Sequence, residues 1–278
     1  MAGSAVHQIA RKLASCPGVK AVVLGGSRAS GTADASSDID IGLYYEKESP
    51  LDLSELSRLV AAIDDRGIEG LVTGFGDWGP WVNGGGWLLV RGQRLDLIYR
   101  ELNSVRRAIE DCRAGHIKTH FQVGHPAGFS PQIYAGEIHF CKPLHDPDEL
   151  IRAMKRMTHP YPPALKHALI QGLWEAGFVL ETAASSASRG DLYHVSGCAY
   201  RSVVCIVQAL FGLNESYWVN EKRALEKAAH LPVTLEDFGP RARRCLGELG
   251  TEPTHLQESL KELRILLDDV QRLIDPIR

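Results

Sequence analysis

At 278 residues the chain can hold one large domain or two of ordinary size, and 44% hydrophobic with 23% charged residues is an ordinary globular composition. A net charge of −3 gives no case for a broad basic surface gripping nucleic acid. The six cysteines form no C-x-x-C pair, the N-terminal residues lack an apolar h-region, and the longest apolar run, Val203 to Leu213, is interrupted by Gln208. The expectation is a reduced, cytoplasmic protein with no membrane partner.

In chain order, Val6, Ile9, Ala10 and Leu13 recur at helical spacing and Pro17-Gly18 closes that helix. Val19 to Leu24 and Ile39 to Tyr45 read as short apolar strands, and Leu53 to Ile63 as a helix. Residues 74–86 form a loop rich in Gly and Trp, and Trp87–Val90 and Leu95–Tyr99, separated by four residues, read as a β-hairpin. A helix over Ser104–Ala114 precedes an irregular stretch rich in His, Gly and Pro.

His145-Asp146-Pro147 is a plausible seam, after which the pattern is helical: Leu150–Met157, Ala164–Ala184, Val195–Leu213, Asn220–Ala229 and Leu256–Ile274. Leu256, Leu260, Leu263, Leu267, Val270 and Ile274 form a heptad seam. It predicts a helix packed in a bundle and leaves a homodimer open. The expected fold class is α+β, with a mixed sheet flanked by helices over 1–145 and an α-helical bundle domain over 146–278.

Chemistry concentrates in VVLGGSRASGTADASSDIDIGLYY, residues 22–45. Asp38 and Asp40, two apart on a strand, project to one face roughly 7 Å apart while Ile39 and Ile41 face the core. Two such carboxylates repel unless a cation meets them, and Mg²⁺, which takes oxygen ligands and shares them with phosphates, is the natural partner. Asp96 is a lone acid inside Leu95-Asp96-Leu97-Ile98 and converges on the pair if the strands are neighbours. Three carboxylates can hold two Mg²⁺ ions, the arrangement used in nucleotidyl transfer. Gly25-Gly26-Ser27 lets backbone N–H groups and a hydroxyl approach a phosphate, yet it is neither a P-loop nor G-x-G-x-x-G.

Gly26-Ser27, ten residues, then Asp38-Ile39-Asp40, with Asp96 on a later strand, resembles the nucleotidyltransferase superfamily typified by DNA polymerase beta. The fuller string from Gly26 to Gly31 and from Ser37 to Asp40 is similar to its small bacterial members, among them aminoglycoside, lincosamide and minimal nucleotidyltransferases. The resemblance covers roughly residues 20–100. It implies transfer of a nucleoside monophosphate, usually AMP from ATP or another nucleoside triphosphate, to a hydroxyl of a small molecule such as an aminoglycoside-like antibiotic, with release of pyrophosphate. Resistance to an antibiotic would follow. It places Gly26 and Ser27 at the triphosphate, and Asp38, Asp40 and Asp96 as catalytic residues and ligands of two Mg²⁺ ions; Gly25, Arg28 and Ser37 are further candidates at the nucleotide, with a solvated surface side chain the other reading of Arg28. In several relatives the third position is a glutamate base; the shorter Asp96 leaves that role open.

Further candidates are weaker. Lys222 could reach the triphosphate from the helical region. Arg189 and His194 fit an R-x4-H pattern resembling HEPN-type ribonucleases, with local helix entry the favoured reading and a positioning role for Tyr193 or His194 the next. His116, His120, His125, His139, Cys141 and His145 lack a zinc-site frame. Glu137 is a candidate acceptor or metal contact. Trp78, Trp81 and Trp87 could form a stacking lid, although core packing is expected of Trp87. Rival functions are an AMP-transferring modifier of a partner protein and a catalytically silent nucleotide-binding regulator.

Overall fold

The structure, a computed structural model, describes residues 3–34 and 37–275. They divide into two compact units, residues 1–111 with 118–160 and residues 112–117 with 161–278.

The first unit is built on a five-stranded sheet of order β3-β4-β2-β1-β5. Its strands are β1 Ala21–Leu24, β2 Ile39–Tyr45, β3 Gly85–Val90, β4 Gln93–Glu101 and β5 Lys142–His145. β2 and β4 run parallel; the other neighbours are antiparallel. Alternation along the strands sends Ile39, Ile41, Leu43, Leu95, Leu97 and Tyr99 into the core. There they meet α1 (Gly3–Ala14) through Val6, Ile9 and Leu13, and α3 (Leu53–Ala61) through Leu56 and Val60. The β3–β4 hairpin turns at Arg91 and Gly92, both with positive φ (53° and 73°), as a two-residue primed turn requires.

The opposite face is closed at one end only. Arg100, on β4, is buried and donates through Nε and Nη2 to Glu137 at 2.8 and 2.7 Å. Glu137 lies on α5 (Pro131–Phe140), and the guanidinium also lies over the Tyr134 ring at 5.2 Å. Burial pulls the Arg100 pKa down, but the Glu137 carboxylate more than offsets that and the net shift is upward. Glu137 is therefore a structural counter-ion, and no contact with acceptor or metal is needed to account for it.

α5 and β5 depart from the irregular reading of this stretch. α5 is apolar nearly all round, so it shows no amphipathic period. β5 carries Pro143, which an edge strand tolerates because one side needs no ladder hydrogen bond. The first unit also runs past the expected seam at 145/146 and ends at Pro160. The reason is α6 (Leu150–Met157), whose Lys155 ammonium donates to the carbonyls of Ile138, His139 and Cys141 at the end of α5.

The second unit is helical. α7 (Pro163–Gln171), α8 (Trp174–Ser188), α9 (Leu192–Leu213) and α12 (Pro253–Ile274) form its core, with α10 (Ala224–Ala229) and α11 (Phe238–Gly247) alongside. The helix expected over 164–184 is two helices broken at Gly172 and Leu173. A Cβ on Gly212 of α9 would come within 2.8 Å of Leu169 Cβ, so glycine there permits close approach to α7. Every position of the α12 heptad seam is buried inside this unit, as a bundle helix requires. Only α9, among the described residues, is long and apolar enough to cross a membrane, and it is the unit's most buried helix. All six cysteines are buried.

Two outcomes follow from these contacts. Glu137→Ala strands the buried Arg100 charge and should cost about 3–5 kcal/mol in urea unfolding, with Glu137→Gln milder. His139, whose ring lies 4.3 Å from that of His159, has its pKa lowered to about 4 by burial first, then by His159 and Lys155. The unfolded chain therefore binds the proton more readily, so the histidine's contribution is complete above pH 6.5 and drains away as pH falls toward 4. His139→Gln should flatten that part of the stability profile.

Candidate functional site

β1 ends at Leu24, and Gly25 stays extended so that its N–H donates to the Asp40 carbonyl at 2.8 Å. Gly26 then turns the chain with φ of +58° into the short helix α2 (Gly26–Ser30). A Cβ on Gly26 would strike the Asp40 carboxylate, with Cγ only 2.5 Å away. Glycine is required there twice over, by the left-handed backbone and by the carboxylate packed against it. The Gly-Ser turn and Asp40 are thus in direct contact.

Arg28 fastens the other side of the loop. Its Nε donates to the Asp38 carbonyl at 3.1 Å and its Nη2 to the Ser37 carbonyl at 2.7 Å. The Ser37 hydroxyl accepts from the Asp34 N–H at 2.9 Å and donates to its Oδ1 at 3.2 Å, closing a local turn. Ser36 lies outside the described residues. Asp38 precedes the first residue of β2, and Asp40 stands one step inside it.

Asp40 pairs in register with Asp96 across the parallel β2–β4 ladder. Both are half-buried, while Ile39, Ile41, Leu95 and Leu97 on either side are in the core. Directly opposed positions share a face, with Cβ atoms about 5 Å apart. The two strands and their acids are neighbours, as the lone acid within an apolar strand suggested. Asp38, Asp40 and Asp96 all lie at the same end of adjacent strands.

Among the described residues no three His, Cys, Asp or Glu side chains already form a metal-holding group. The donor set nevertheless suits a hard cation: carboxylates only, paired across two strands and lying against a glycine turn with no side chain of its own. Such an ion keeps water and phosphate oxygens in its shell and needs no all-protein cage.

Trp87 departs from expectation. It is 66% exposed, because β3 is an edge strand whose Leu88 and Val90 take the core positions. Its register partner is Asp96, and its ring stacks on Trp78 at 4.8 Å with 26° between planes. A continuous apolar run, Trp87-Leu88-Leu89-Val90, carries no sign of which residues face outward; the edge position decides it. Sequence reasoning also passed over Gln122. That side chain is buried, and it accepts from the N–H groups of Trp81 and Val82 at 2.9 and 3.2 Å and donates to the Trp78 carbonyl.

The remaining candidates have local roles. His120 and His125 pack on the Trp81 and Phe129 rings. Arg189 Nη1 donates to Ser185 Oγ, the His194 N–H caps onto Asp191, and its Nδ1 lies 3.0 Å from Ser186 Oγ, which is helix entry into α9. Lys222 is exposed in the second unit, ahead of α10, with its N–H on Asn220 Oδ1.

Residues 7–71 match the sequence model of the family described as Polymerase beta, Nucleotidyltransferase. The match spans the Gly-Ser turn, Asp38 and Asp40, stops short of Asp96, and supports the nucleotidyltransferase superfamily and a nucleotide-transferring domain in the first unit. No curated protein matches the chain. A solved structure, the nucleotidyltransferase-like protein from Exiguobacterium sibiricum 255-15, is similar over 95% of this chain and 75% of its own, at 10% identity and a TM-score of 0.46.

Gly26→Ala should destabilise the fold by about 1–2 kcal/mol from the left-handed backbone alone. It should also displace the Asp40 carboxylate, and urea unfolding of the variant measures the combined cost.

Proposed function

We propose that the protein is a Mg²⁺-dependent nucleotidyltransferase that moves a nucleoside monophosphate, AMP from ATP in the first instance, to a hydroxyl of a small molecule. The observation that carries this reading is the register pair Asp40–Asp96 beside a glycine turn that touches the Asp40 carboxylate.

The turn supplies backbone N–H groups and the Ser27 hydroxyl to the triphosphate, in the way anions are held at glycine-rich bends. Arg28, committed to two carbonyls, positions Asp38 and leaves the phosphate to the turn. Ser37 shapes the same loop through Asp34. Asp38, Asp40 and Asp96 would hold the Mg²⁺ ions, whose chemistry there is to neutralise charge on the triphosphate and on the departing pyrophosphate. The acceptor oxygen forms a bond to the α-phosphorus, the bond from that phosphorus to the bridging oxygen of the β-phosphate breaks, and pyrophosphate leaves. Asp96, at the acceptor side of the pair, takes the hydroxyl proton or passes it to solvent. The protein contributes position and charge, with no covalent intermediate. Assignment of Lys222 to the triphosphate rests on its charge and exposure alone.

MgATP should raise the melting temperature of the wild type by mass action, and Asp40→Asn should remove that rise while leaving the apo protein folded. With an acceptor supplied, pyrophosphate release should fall at least about a hundredfold in Asp38→Asn and Asp40→Asn, as expected for loss of transition-state charge stabilisation. Near-normal turnover in either variant would overturn the metal assignment. Mg²⁺-dependent binding without pyrophosphate release from any acceptor, small molecule or intact protein, would favour a nucleotide-binding regulator.

A further inference from the structure

Across the open face of the sheet the functional groups fall in a row, one strand apart: the Gly25–Gly26 turn, Asp40, Asp96, Trp87. Adjacent strands are about 4.8 Å apart, so Trp87 stands roughly 10 Å from Asp40 on the side away from the glycine turn. An incoming hydroxyl must approach the α-phosphorus opposite the leaving pyrophosphate. If the triphosphate lies on the glycine turn, Trp87 borders the other side, where the acceptor enters.

The Trp87 site is built from several directions. Gly85 has no side chain, and a Cβ there would meet the Trp78 ring at 2.7 Å; glycine thus lets Trp78 lie over β3 against Trp87. Gln122, buried and with both amide ends engaged, fixes the backbone of Trp78, Trp81 and Val82. Arg66 Nη2 donates to the Trp87 carbonyl at 2.9 Å and is held by Asp64, which also accepts from the Leu89 N–H at 2.7 Å. Asp64 is itself buried, a carboxylate spent on anchoring this edge strand. A solvent-exposed indole this firmly supported serves no core.

We propose that the Trp78–Trp87 pair is the acceptor platform of this site, and that the acceptor is a small hydroxyl-bearing molecule with a planar aromatic ring. This rests on the transferase reading above. Two indoles already in an offset stack offer a free face to a third flat ring, and base-type rings stack on such faces without needing a particular hydrogen-bond pattern. Arg94, exposed on the same face opposite Leu89, offers a donor fork to acceptor atoms of that ring. The hydroxyl of a ring stacked on Trp87 comes to Asp96, the register neighbour.

Guanosine, an uncharged molecule whose planar base is joined to a hydroxyl-bearing ribose, is the probe, with glucose as its non-planar control. Calorimetric titration of the full-length protein should show guanosine binding that weakens at least about tenfold in Trp87→Ala and stays within about threefold in Trp87→Phe. Glucose should not bind. The melting-temperature rise with MgATP should be unchanged in Trp87→Ala, and Asp40→Asn should lose that rise yet keep guanosine binding. Equal guanosine affinity in Trp87→Ala, no guanosine binding by the wild type, or glucose binding that depends on Trp87 would each overturn the platform while the MgATP response stands. Loss of the MgATP response in Trp87→Ala would move the indole to the donor base and overturn the acceptor assignment. No MgATP response in the wild type, with guanosine still bound through Trp87, would remove the transferase reading and the acceptor role with it.

Discussion

The organising constraint is two carboxylates held side by side at one end of a parallel strand pair. Asp40 and Asp96 are in register on β2 and β4, and each is flanked by residues fully in the core. Neither strand can slip by one residue to relieve the repulsion, because a slip would send Ile39, Ile41, Leu95 and Leu97 to solvent. The hydrophobic interior therefore fixes the two acids side by side, and the turn at Gly26 lies so close to Asp40 that a Cβ there would strike its carboxylate.

The same sheet face shows how its far end avoids that problem. There the charge on β4 is Arg100, and α5 lays Glu137 across it as a bidentate partner. One face thus carries a buried ion pair at one end and two half-buried acids at the other. Among the acids of this unit, Glu137 and Asp64 are matched by arginines, and Asp40 and Asp96 stand in register on neighbouring strands.

Support for the open end comes from segments distant in sequence. Gln122 ties down the Trp-rich loop 40 residues and more upstream, and Asp64 with Arg66 secures β3 from the end of α3. These residues hold backbone atoms, which rigid sites require of their supporting shell. The polar groups of Gln122 and Asp64 are buried and satisfied, so loosening one should be felt at the site as well as in stability.

Much of this protein can be read from its residues alone. The strand Ile39–Tyr45, the helices over Val195–Leu213 and Leu256–Ile274, and the side of Asp40 and Asp96 away from the core follow from hydrophobic period, since period 2 and period 3.6 are set by backbone geometry, whereas α11 and the break at Gly172 and Leu173 do not. The Gly-Ser turn with two spaced aspartates was legible as chemistry for a similar reason: small residues and acids at those positions have little other physical use. Three things needed the tertiary structure. α5 is buried on all sides and so has no periodic signature. Arg28 and Glu137, plausible ligand contacts by type, turn out to hold a loop and a buried guanidinium. Trp87 faces away from the core because the β3–β4 register puts Leu88 and Val90 on the core side and Trp87 opposite Asp96. Periodicity is local and is written in each segment; which strand is an edge, and which charge meets which, exists only once the segments have been brought together.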